Sequence, residues 1–282
     1  MPSSPSSSAQ EAREAVASRL RDLLLDSGLT GRELAVRCGW HPSKSSRIMN
    51  GKTPPSDADI RAWCAVCGSD DQADDLIAAS RAADSMYVQW KNIQRNGMRR
   101  AQEEVVPLWE RTRQYRVYAS NVVPGMLQTP GYATALMSSI TKFQGTPDDV
   151  AEAVEARISR AHVIHEGNHR FALLMEESVL RYQIGDAEVM AGQLGYLLAV
   201  MALPRISLGI IPFTAQREIW PLEAFYMFDD HQVSVELLTA GVNVRTPGEI
   251  SEYGKAFQGL AKMAVHGASA RALITSAIDS LG

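Results

Sequence analysis

The chain has 282 residues, 45% hydrophobic and 21% charged, with three cysteines and a formal net charge of −4 at pH 7. This is the composition of a globular protein with room for more than one core. It excludes a disulfide scaffold, and no apolar run reaches the roughly 18–20 residues that span a bilayer. The overall acidity gives no support to a nucleic-acid partner, but the charge is unevenly spread. Residues 29–56 carry Arg32, Arg37, Lys44, Arg47 and Lys52 against the single acid Glu33, residues 81–116 are again basic, and everything beyond 116 is acidic. A local basic stripe is what phosphate binding requires.

The first ten residues are Ser/Pro-rich, with neither a basic nor an apolar secretory region. Residues 1–9 therefore read as a disordered leader, and the protein as cytoplasmic. Ser8-Ala-Gln-Glu11 has the form of a capping box opening a helix to about Asp26, with Val16, Leu20, Leu23 and Leu24 as its buried stripe. A second capping box, Thr30-Gly-Arg-Glu33, starts a short helix through about Cys38 with Leu34 and Ala35 inward. Gly39 suits the left-handed residue of a tight interhelical turn, and Trp40 is expected to staple that turn to the first helix.

The next helix, about Pro42 to Asn50, differs in kind. Pro42 fits its first turn and His41 its N-cap, but only Ile48 and Ser45 are suited to face inward. A helix this polar is not held by its own core face. Small hydroxyls and long cations are what a DNA major groove accepts. Asn50-Gly51-Lys52-Thr53 closes the helix with donors suited to phosphates, and Ser56 caps a fourth helix to about Cys67.

The order and spacing of Leu29-Thr30, Glu33-Leu34-Ala35, Gly39, Ser46-Arg47-Ile48, Asn50-Gly51 and Pro55-Ser56 resemble the XRE (lambda-repressor-like) helix-turn-helix family. The resemblance implies a five-helix domain, placed at 10–84, whose third helix enters the major groove of double-stranded DNA. It implies base-edge roles for Pro42, Ser43, Lys44, Ser46 and Arg47, and phosphate roles for Arg32, Asn50, Lys52 and Thr53. Gly31 stands where the family commonly has a buttressing Gln, and Met49 where Glu is common. A helical bundle used only for protein contacts is the alternative.

Two clusters invite a metal reading. Cys64 and Cys67 form a CxxC, but with Ile60 and Trp63 they fall on the apolar stripe of the fourth helix and read as core. His162, His165, Glu166 and His169 are interrupted by Gly167 and read as surface residues. No nucleophile elbow, zincin, P-loop or dinucleotide motif is present, so no catalytic residue, metal or cofactor is expected.

A short fifth helix is expected around Leu76, Ala79 and Ala83, followed by a helical connector over 85–116 that suits an interdomain or dimer-forming role, with Pro107 marking a break. Tyr115–Tyr118 begins an extended or helical run ending at the Val123-Pro124-Gly125 turn. Thr129 and Pro130 then open a helix, and another covers about Pro147 to His165. Strand-like runs lie at Phe171–Met175 and Ile206–Ile211, a hairpin at Ala224–Leu237, and helices at Ala187–Leu203, Pro247–Val265 and Ser269–Leu281. The expected fold class is a mainly α helix-turn-helix domain followed by a larger α+β domain over 117–282.

This second stretch resembles the C-terminal domain of unknown function in actinobacterial XRE regulators, the WhiJ-like group. The resemblance is carried by Val123-Pro-Gly-Met-Leu-Gln-Thr129, Val154-Glu-Ala-Arg157 with Arg160, Glu177-Ser-Val-Leu-Arg181, Gln193-Leu194, Ile211-Pro212 and Val235-Glu236. It implies a regulator, often with a small partner protein encoded nearby, and some relatives are antitoxin-like. Pro124, Gly125, Gln128, Arg157, Arg160, Glu177 and Arg181 are the candidate partner or ligand residues, although an Arg/Glu pair is often structural glue. The expectation is a homodimeric, sequence-specific transcriptional regulator whose C-terminal domain senses a ligand or small protein; the alternative is an antitoxin-like protein that sequesters a cognate partner.

Overall fold

The structure is a computed structural model. It describes residues 5–220, 223–237, 241–245 and 247–281, with side chains described from residue 13 onward except for 82–96. Two compact units divide the chain, Met1–Trp90 and Lys91–Gly282.

The N-terminal unit is built from helices. They are α1 (Pro5–Asp26), α2 (Gly31–Arg37), α3 (Pro42–Met49), α4 (Asp57–Cys67) and the start of α5 (Ala73–Glu104). α1 begins before Ser8, and the capping box expected there lies among residues whose side chains are outside those described. Val16, Leu20, Leu23 and Leu24 meet Leu34, Ile48, Ile60, Trp63 and Cys64 in one core. Fully buried Trp63 donates from Nε1 to the Leu20 carbonyl at 3.0 Å, so its one polar atom is satisfied by α1. Trp40, expected to staple the turn to α1, packs on the core that α1 shares with α2, α3 and α4. Its ring lies 6.2 Å from that of Trp63 on α4, because the Gly39 turn, with φ of 68°, brings it back across α2.

The fifth helix is not short. Without a Gly or Pro before Gly97, α5 continues past the Trp90/Lys91 division, and its inner stripe is Ala73, Leu76, Ile77 and Ser80, with Ala79 exposed. Ala83 lies outside the residues with described side chains. α5 breaks at Gly97, whose φ of 78° and ψ of −178° are open essentially to glycine alone. The Asp149 carboxylate then accepts the Met98 and Arg99 amides at 2.9 and 2.7 Å, capping the helix as it resumes.

The C-terminal unit is α+β. Its six-stranded sheet has the order β3-β2-β1-β4-β5-β6, with β1 (Gln114–Ala119), β2 (Arg170–Glu176) and β3 (Ile206–Ile211) parallel. β4 (Phe225–Phe228), β5 (Gln232–Glu236) and β6 (Gly241–Val244) form an antiparallel wing on the other side of β1. β6 was not foreseen; four residues, one of them Gly and one Asn, carry little strand signal.

Side chains alternate cleanly across the sheet. One face packs Tyr115, Val117, Phe171, Leu173 and Leu208 against α6 (Val106–Arg111), α7 (Pro130–Gln144), α10 (Ala187–Val200) and α12 (Gly267–Asp279). The other packs Leu174, Ile211, Met227, Val233 and Val235 against α11 (Pro247–Met263). Pro107 sits in the first turn of α6, and Thr129 caps α7 ahead of Pro130, as their chemistry predicts. The helix expected to reach His165 is shorter: α8 (Val150–Arg160) gives way to a 3-10 turn over Ala161–Ile164. α9 (Glu177–Arg181) follows β2 directly.

A Cβ at residue 97 would lie 2.2 Å from Asp149 Oδ2. Gly97→Ala is therefore expected to cost at least the roughly 1–3 kcal/mol of the disfavoured backbone, read as a lower denaturation midpoint of the full chain.

Candidate functional site

The site in the N-terminal unit is built around α3. Its buried residues are Ser45 and Ile48. Ser45 Oγ donates within hydrogen-bonding distance of the Gly31 and Pro42 carbonyls, at 3.1 and 3.0 Å, tying α3 to the start of α2. The starts of both helices are fixed. Thr30 and Glu33 form the reciprocal capping box of α2, and His41 Nδ1 accepts the Ser43 amide at 3.3 Å. Glu33 is held below its usual pKa by those Thr30 bonds. The departures at Gly31 and Met49 explain one another: a Cβ on Gly31 would meet Met49 Cε at 2.7 Å, so the methionine fills the space that glycine leaves.

Pro42, Ser43, Ser46 and Arg47 are exposed on α3, as are Arg32, Asn50, Lys52 and Thr53 around it. Arg32, Arg47 and Lys52 make no ion pair among the described residues. Asn50 turns back to donate to the Ser46 carbonyl at 2.7 Å, acting as a helix end. Lys44 is engaged within the protein. Its Nζ lies 2.6 Å from Asp59 Oδ1 and 4.6 Å from the centre of the Trp40 ring, which makes it a strut between α3 and α4. Sequence reasoning missed Asp59; Ser56-Asp-Ala-Asp59 is itself a capping box, and that was the available signal.

The C-terminal candidates separate into two groups. Pro124, Gly125, Gln128, Arg157 and Arg160 come together. The Gly125 amide donates to Tyr226 Oη at 3.1 Å, and Gln128 accepts from Arg157 at 2.7 Å while donating to the Val123 carbonyl at 2.7 Å. Buried Gln193 clamps this loop by accepting the Thr129 amide and donating to the Leu127 carbonyl. Glu177 and Arg181 form a separate pair on α9 at 3.1 Å, with Glu177 also accepting the Phe213 amide at 3.0 Å.

Arg181 thus lies in an Arg/Glu pair, whereas Arg157 and Arg160 do not. Their acceptors are neutral: Gln102 Oε1 and Gln128 Oε1 for Arg157, and the Gln102 carbonyl for Arg160, whose guanidinium also lies 4.3 Å from the centre of the Trp109 ring. Burial, with Arg157 beside it, lowers the Arg160 pKa to about 10, and burial lowers that of Arg157 as well. Tyr226 is pushed up to about 12 by burial, with Glu236 contributing. Gln102, Trp109 and Tyr226 carried no sequence signal for this site.

For Asp59, burial acts to raise the pKa, but hydrogen bonds from Lys44 and Ser56 outweigh it and hold the carboxyl below its usual range. A lowered acid pKa stabilises the fold above the unfolded value of about 3.9, and that contribution is lost as pH falls through the folded value. Because the lysine end is half-exposed, Asp59→Asn is expected to cost only about 1 kcal/mol at pH 7. In thermal unfolding, the gap between the two proteins should close as pH is lowered towards 3; a gap that does not depend on pH would mean that the ion pair contributes nothing.

Residues 15–76 match a helix-turn-helix domain family. Residues 102–276 match the domain of unknown function DUF5753. No curated protein and no solved structure matches the chain. The two matches cover α1 to the beginning of α5 and then nearly the whole sheet-containing unit, so the chain belongs to the DUF5753 family and carries a helix-turn-helix domain ahead of that family's domain.

Proposed function

We propose that the chain is a sequence-specific, XRE-type transcriptional regulator that reads DNA through α3 as a homodimer, its C-terminal domain receiving a ligand or a small protein. The carrying observation is the composition of α3, which buries only Ser45 and Ile48 and leaves Ser43, Ser46 and Arg47 exposed beside the capping box of α2. The helix-turn-helix family match over residues 15–76 supports a DNA-binding regulator.

In this reading Arg47 addresses a base edge, where an arginine fork pairs with guanine, and Ser43 and Ser46 make permissive contacts. Lys52, Arg32, Thr53 and the end of α3 at Asn50 face phosphates. Pro42 shapes the helix entry, and Lys44 positions α3 through Asp59. A general argument supports pairing: one such head covers about half a site, and a two-fold dimer reads both halves. The resemblance to actinobacterial WhiJ-like regulators supports a signal-receiving role for the second domain.

Gel-shift titrations test the assignment. Arg47→Ala should cost about 1–3 kcal/mol on the specific site and relax preference at one base pair. Lys52→Ala should weaken specific and scrambled DNA alike and reduce the slope of log K against log salt by about 1. Indistinguishable behaviour of the two variants on both DNAs would refute the division of labour.

A further inference from the structure

We propose that Arg157 and Arg160, with Gln102 and Gln128 beside Tyr226, form a binding site for a small organic oxyanion, a carboxylate or a phosphate. The inference rests on reading the C-terminal domain as the part that receives a signal, and it names the chemistry of that signal.

Charge balance is the first argument. Arg157 and Arg160 lie three residues apart on one helix, so their side chains share a face. No carboxylate lies within 4.0 Å of either guanidinium among the described residues. Three other arginines of the same unit are paired: Arg217 with Glu176 at 2.7 Å, Arg181 with Glu177 at 3.1 Å, and Arg116 with Asp230 at 2.6 Å. The nearby acid that acts on the pair, Glu236, is exposed at the end of β5 and makes no ion pair with either. A buried guanidinium beside a half-buried one, both with neutral acceptors, is costly unless a counter-charge completes the pair.

The second argument is an orphaned donor. Arg160 is 6% exposed, and its Nε is buried without a hydrogen-bond partner. In native structures such a donor calls for an explanation, and a bound oxyanion supplies the missing acceptor. Preorganisation is the third. Gln102 accepts from Arg157 through its side chain at 3.1 Å and from Arg160 through its backbone at 2.9 Å, while Gln128 fixes the other arm of Arg157. The guanidiniums are thus held as forks of the geometry that carboxylates and phosphates match. A Cβ on Gly125 would sit 3.9 Å from Arg157 Cζ, so the Pro124-Gly125 turn passes close by the guanidinium.

The test uses the full chain without DNA, so it can fail while the DNA-binding reading stands, and the reverse. Thermal unfolding is followed in inorganic phosphate, acetate or chloride at constant ionic strength. Phosphate, acetate or both should raise the C-terminal transition over chloride by about 3–5 °C once the anion reaches ten times its Kd; which of them does so distinguishes the two ligand sources. Arg157→Met should abolish the shift and Arg157→Lys retain part of it. An equal shift in Arg157→Met, or none in the parent with either anion up to the concentration at which salt effects set in, overturns the proposal. Should Arg157→Met fail to fold, the Nε–H resonance of Arg160 in the intact chain decides: a saturable displacement by phosphate supports the site, and an unmoved resonance refutes it.

Discussion

A helix that buries only Ser45 and Ile48 cannot hold its own position, and the N-terminal unit is arranged around that constraint. Ser45 Oγ bonds to the Gly31 carbonyl, Met49 fills the space beside Gly31, Lys44 reaches Asp59, and His41 caps the helix start. Each bond is modest by itself, on the order of 1 kcal/mol. Together they replace the apolar stripe that α1 and α4 use, and so leave the side chains of Ser43, Ser46 and Arg47 exposed on the outer face.

The C-terminal unit meets a related problem at the β1–β4 junction. The parallel half of the sheet is covered on both faces, but the wing is two-sided in character. Val233, Val235, Val242 and Val244 face α11, whereas Gln232, Ser234 and Asn243 bond to one another on the opposite face. Tyr226 of β4 belongs to that polar side by register with Ser234, and the Pro124-Gly125 turn is fastened to it. Arg157 and Arg160 therefore stand where the covered core ends and the polar wing begins.

Local chemistry was legible in the sequence, and long-range pairing was not. The Thr30–Glu33 box, the Gly39 turn, the inward Ser45 and Ile48, and Thr129-Pro130 are written in residues a few positions apart, and each takes its expected place. Lys44 could be read as exposed because Asp59 is 15 positions away, across a turn and a cap. The acceptors of Arg157 and Arg160 come from Gln102 and Gln128, 55 and 29 positions from Arg157, and nothing in periodicity links them. The break at Gly97 was equally hidden, because its capping carboxylate belongs to Asp149.

The strut at Lys44 has an informational consequence. With that cation committed to Asp59, the exposed face of α3 has a small vocabulary: two hydroxyls and one guanidinium. If α3 reads DNA as proposed, a head with so few words would match many places in a genome, because each base pair read contributes only about 1–3 kcal/mol of discrimination. Under the proposed pairing, selectivity comes from requiring two short words at a fixed spacing, so the address is set by the distance between heads as much as by either head.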